Sequence, residues 1–154
     1  MSDAIGRREF LQSVAVLAAA TRAGAQTPSN EWGAPVLDMH LHPRATVEGN
    51  LLHVDGSGVT KAVLLTGAAA EERAKESVAA HPDRFVRFAS FDMTQPEAID
   101  RLRAAAKGGA IGFGEIKSQV AAAGPEMQRL YALAAELNLP ITMHFQEVNQ
   151  PNSP

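Results

Sequence analysis

The stretch Val36-Leu37-Asp38-Met39-His40-Leu41-His42 is the part of this chain whose reading decides the fold. It is apolar enough for a strand, and on a strand residues two apart point to the same side. Asp38, His40 and His42 then share one face, with Met39 and Leu41 on the other. The two imidazoles stand about 7 Å apart along the strand, close enough to converge on one ion. The acid behind them can fix a ring tautomer.

Outward from this strand, the pattern alternates. Lys61 to Gly67 (KAVLLTG) is a short apolar run suited to a buried parallel strand. Ala69 to His81 reads as a helix, with His81 at its end able to meet the terminal carbonyls. Phe85 to Phe91 (FVRFASF) reads as a third strand. Thr94 and Glu97 fit a capping box, opening a helix that runs to Lys107 and stops at Gly108-Gly109. Ala110 to Lys117 (AIGFGEIK) is a fourth strand. Gly124-Pro125 opens a helix ending near Asn138, and Pro140 to Gln146 (PITMHFQ) is a fifth strand. Between the first two strands, Asn50 to Val54 could form a short helix, followed by a turn at Asp55 to Gly58. Strand follows strand at intervals of about 25 residues, the size of a βα unit. The fold class is therefore α/β, with a parallel sheet covered by helices.

An open doubly wound sheet and a closed barrel both satisfy this alternation. The stretch Gly112-Phe113-Gly114-Glu115-Ile116-Lys117 lacks the third glycine of a dinucleotide-binding loop. The histidines favour the barrel. His144 lies near the end of the fifth strand, and Glu115 and Lys117 share one face at the end of the fourth. All strand C-termini of a parallel barrel meet at one rim, so His40, His42, Glu115, Lys117 and His144 could converge there. Asp92, just after the third strand, is a weaker acid candidate.

These residues resemble the amidohydrolase superfamily, in its amidohydrolase-related branch, over about residues 36 to 147. Asp38-x-His40-x-His42 is similar to the opening signature of that superfamily. Leu139 to His144 looks like its fifth strand with a metal-ligand histidine. Gly114-Glu115-Ile116 resembles the segment that supplies a bridging glutamate in the deoxyribonuclease relatives. Other branches use a carbamylated lysine from the fourth strand, which brings Lys117 into consideration, although an ion pair is the simpler reading. The resemblance implies a metal site of His40, His42, His144 and Glu115, with Asp38 and Lys117 beside it. It also implies a divalent metal, zinc first and manganese second. Glu115 is the acid placed to take a proton from water.

The expected fold is a partial TIM (β/α)8 barrel, about its first five strands. The superfamily continues with a sixth-strand histidine and an eighth-strand aspartate, whereas this sequence stops at Pro154 after a polar tail. The chain as given is expected to be an incomplete barrel over 36–154, with open sheet edges that favour aggregation, and to be inactive or nearly so. The parent enzyme is expected to be a metal-dependent hydrolase using a metal-activated water on an amide, ester or lactone bond of a small-molecule substrate. A non-oxidative decarboxylase, a phosphodiesterase and a non-catalytic exported metal-binding fragment are the alternatives.

Composition narrows the choice. Of 154 residues, 45% are hydrophobic and 20% charged, a globular balance. The net charge of -3 gives no footing for a nucleic-acid partner. With no cysteine, disulfides and thiolate zinc sites are excluded, and a metal must be held by His, Asp, Glu or a modified Lys. At the N-terminus, Gly6-Arg7-Arg8-Glu9-Phe10-Leu11 precedes a mildly apolar run to Ala20, and Ala23-Gly24-Ala25 offers a cleavage site before Gln26. The order resembles a twin-arginine export signal over residues 1–25, followed by a linker over 26–35. It implies recognition by the twin-arginine export machinery, a periplasmic or secreted location, and no stable membrane anchoring after cleavage. The apolar run is shorter than the roughly 20 residues that span a bilayer.

Overall fold

The computed structural model describes residues 32–144. The stretch over 1–25 expected to be an export signal, most of the expected linker and the polar tail lie outside the described residues. Five strands form one parallel sheet in chain order: β1 Leu37–Leu41, β2 Lys61–Thr66, β3 Phe85–Ala89, β4 Phe113–Ile116 and β5 Ile141–Met143. Four α-helices alternate with them: α1 Val47–Gly56, α2 Glu71–Ala80, α3 Ala98–Lys107 and α4 Pro125–Leu137. None of the helices among the described residues is long and apolar enough to cross a membrane.

The two faces of the sheet bury different clusters. Ala62, Leu64 and Phe85 pack outward with Val54 of α1 and Ala74 of α2. Ala89, Phe113 and Ile116 pack outward with Leu102 of α3 and Leu130 of α4. Val63, Leu65 and Phe88 form a separate cluster on the inner face. Strand β2 is buried along nearly its whole length, as a strand covered on both faces must be. Phe88 lies over Gly112, where a Cβ would come within 2.5 Å of its ring.

The sheet is strongly curled. In a flat sheet β1 and β4 would be three strand spacings apart, about 14 Å. His40 Nε2 nevertheless comes within 3.3 Å of Glu115 Oε2. Side chains of strands so far apart in the sheet meet only when it bends around its inner face, so the five strands form an arc of a (β/α)8 barrel.

Helix ends follow local chemistry, with corrections to the sequence expectation. Thr46 Oγ1 accepts the Gly49 N–H at 3.0 Å and starts α1 earlier than expected. That helix then runs through Asp55 and Gly56, which were assigned to a turn. Pro125 in the first turn of α4 and Asn138 at φ 52° just after it bound that helix as anticipated. The capping box at Thr94 does not form. Asp92 Oδ1 takes the Thr94 N–H at 3.0 Å and Asp92 O takes the Gln95 N–H at 3.1 Å. This local turn occupies residues 92 to 95, and α3 opens only at Ala98, with no side-chain cap. His81 closes α2 through its backbone N–H on Ser77 O at 3.0 Å rather than through its ring.

Candidate metal centre

Two irregular strands aim the site. Phe113 and Ile116 both face the outer cluster although they are three residues apart. A regular strand would turn Glu115 outward with Phe113. The pairing register with β5 shifts between Phe113 and Ile116, and this break directs Glu115 to the inner face. A similar break separates Asp38 from Leu41 in β1. The expected division of that strand is thus only partly kept, because Leu41 is buried while Met39 stays 45% exposed. Gly114 has φ +142°, and a Cβ there would lie 2.5 Å from Thr142 O. The β4 backbone therefore approaches β5 at a distance only glycine permits.

The Glu115 carboxylate is the hub. Its side chain is 3% exposed, whereas those of His40 and His42 are 51% and 58% exposed. Oε2 lies 3.3 Å from His40 Nε2, 3.4 Å from His42 Nε2 and 3.1 Å from Lys117 Nζ. Oε1 is bonded to His144 Nδ1. The His40 and His42 rings meet edge to face, with centroids 5.2 Å apart. Burial acts to raise the pKa of Glu115. Hydrogen bonds from His144 and Lys117, with the charges of Lys117 and His40, outweigh it and hold the carboxyl below its ordinary value.

The structure thus brings His40, His42 and Glu115 into one group whose ligand atoms all lie within 4.8 Å of one another. His144 stands on the far oxygen of the same carboxylate, outside that group. Lys117 stands beside the near oxygen. Asp38 does not take the expected place behind a ring: its Oδ1 accepts the His40 backbone N–H at 2.8 Å and so shapes the strand. Asp92 lines a neighbouring open cleft of about 770 Å³ together with Lys117, Phe91 and Gln95. Hydrogen bonds from Thr94 outweigh desolvation and lower its pKa.

The residues fit a cation. Glu115 Oε2 is buried, and besides the Lys117 ammonium at 3.1 Å it faces two imidazole nitrogens, which in neutral form can each offer a lone pair together with the carboxylate to one cation. Separations of 3.3 and 3.4 Å from two imidazole nitrogens are those between neighbouring ligands about 2.1 Å from a tetrahedral ion. Two imidazoles and one carboxylate suit zinc or manganese. Ser90 escaped the sequence reading. Its Oγ donates to Glu115 O at 2.6 Å, and a lone serine closing an apolar run gave no signal of that.

The amidohydrolase family model matches residues 32–151. The chain belongs to the amidohydrolase family, a group of metal-dependent hydrolases whose members typically bind divalent metals. No curated protein matches the chain.

Proposed function

We propose that the protein is a hydrolase of amide, ester or lactone bonds that holds a divalent cation, zinc before manganese, through His40, His42 and Glu115. The observation that carries this reading is the convergence of two imidazole nitrogens on one buried carboxylate oxygen, their ligand atoms all within 4.8 Å of one another. A divalent cation supplies Lewis acidity, polarising a scissile carbonyl and making water nucleophilic near neutral pH. Glu115 serves as a ligand rather than a proton acceptor, since one oxygen faces the histidines and the other is held by His144. His144 orients that carboxylate. Lys117 joins the cluster to the cleft, where a small-molecule substrate finds an apolar wall at Phe91 and Ala98 and polar groups at Gln95, Ser118 and Gln119. The Arg7-Arg8 motif supports export of the folded protein by the twin-arginine machinery to the periplasm or beyond.

The test uses the native gene product, stripped with a chelator and reloaded with zinc or manganese. Its turnover is compared on simple amides, esters, lactones and aromatic carboxylic acids. Hydrolysis that returns with the metal supports the proposal. Loss of carbon dioxide from the acids without hydrolysis would replace it with decarboxylation. N-terminal sequencing of the exported protein should begin at Gln26.

A further inference from the structure

We infer that Ser90 is a positioning residue for the cation site, holding the Glu115 main chain so that its carboxylate meets the two histidines. This rests on the reading of Glu115 as a ligand.

Ser90 follows the last residue of β3 and is itself firmly placed. Its N–H donates to Thr66 O of β2 at 2.8 Å, and the N–H of Ala89 donates to Gly112 O at 3.0 Å. From that anchor the hydroxyl reaches across to Glu115 O at 2.6 Å. The contact falls where regular pairing fails on both sides of β4. The ladder with β3 consists of the single pair Ala89 and Phe113, and the ladder with β5 shifts register between Phe113 and Ile116. A strand interrupted in this way lacks regular ladder bonds at the break itself. Ser90 supplies a side-chain bond at the residue whose orientation the site depends on. With its proton directed at a carbonyl, the hydroxyl is not set up as a nucleophile. Loss of this bond removes the side-chain restraint on the Glu115 carbonyl between the β5 bonds of Phe113 and Ile116, and a shift of that peptide moves Oε2 from its place 3.3 and 3.4 Å from the imidazole nitrogens.

The experiment compares the parent with Ser90→Ala and Ser90→Thr. Cobalt(II) titration is followed by visible absorption, and hydrogen exchange of the peptide covering residues 113 to 117 is measured on the metal-free proteins. Ser90→Ala is expected to keep the parent far-ultraviolet circular dichroism, to bind cobalt about tenfold or more weakly, as variants of outer-shell partners do, with a changed visible band, and to exchange faster over 113–117. Ser90→Thr retains the hydroxyl and should restore all three readouts. Parent-like affinity, spectrum and exchange in Ser90→Ala would overturn the inference. If the parent takes up no cobalt, the proposed cation site fails. The exchange comparison then still decides whether Ser90 holds Glu115, faster exchange in Ser90→Ala sustaining the clamp and unchanged exchange removing it.

Discussion

Gly114→Ala is expected to damage the fold and the site together. The new Cβ would lie 2.5 Å from Thr142 O and 2.9 Å from Thr142 Cβ, at a backbone φ of +142°. Side-chain-bearing residues in such sparsely populated conformations cost about 1–3 kcal/mol. Overpacking against a neighbouring strand adds about 1–3 kcal/mol. The sum, about 2–6 kcal/mol, is a large part of the roughly 5–15 kcal/mol that stabilises a domain. Relief requires β5 to move away from β4, which takes His144 from Glu115 Oε1. Urea denaturation measures the first effect, and the nitrogen chemical shifts of the His144 ring measure the second. Gly67→Ala is the control, because a Cβ there meets nothing within 4 Å and φ is −81°; it should be neutral or stabilising by up to about 1 kcal/mol. A Gly114→Ala protein as stable as the Gly67→Ala protein, with His144 shifts unchanged, would refute the close approach of β4 and β5.

Two further outcomes follow from buried charges. Arg87 is 2% exposed, and its guanidinium Nη2 donates to Ala105 O at 3.2 Å and Gly108 O at 2.7 Å, tying β3 to the end of α3. Arg87→Ala should cost about 1–3 kcal/mol, because it removes the side-chain donor to the Gly108 and Ala105 carbonyls and the buried cation beside Glu71, which keeps Lys75 at 3.3 Å; urea titration measures this, and Arg87→Lys should recover only part of it. Glu115 has a folded pKa below its ordinary value of 4.5. Its ionised form therefore stabilises the fold above that value, and the contribution is lost as the pH falls through the lower folded value. In metal-free protein, the stability gap between the parent and Glu115→Gln should shrink as the pH falls below 4.5.

Much of this arrangement was legible in the sequence because it rests on simple periods. The HxH pair follows from strand alternation, β2 from an unbroken apolar run, and α4 from Pro125 and Asn138 at its ends. The placement of His40, Glu115 and His144 at the ends of the first, fourth and fifth strands anticipated their meeting at one rim. What was not legible depends on departures from period. The shift between Phe113 and Ile116 decides which way Glu115 points, and it arises from tertiary packing of both residues on α3 and α4. The three-residue spacing of those two apolar residues was the available hint. Asp92 drew Thr94 into a turn because its carboxylate is next to the Thr94 N–H, which left α3 to open at Ala98 without a side-chain cap. Asp38 turned to the main chain because an aspartate readily accepts the backbone N–H two residues on, here that of His40 at 2.8 Å. His144 took the outer oxygen of Glu115, a distinction no linear spacing encodes.

The most direct test of the central claim is metal content. The protein is purified after growth with zinc and manganese, beside a His40→Ala/His42→Ala double variant, and both are analysed by mass spectrometry of the elements. About one equivalent of divalent metal in the parent, zinc above manganese, and its loss from the double variant is the expected result. No metal in either protein, or equal metal in both, would contradict a cation centre built on these histidines and Glu115.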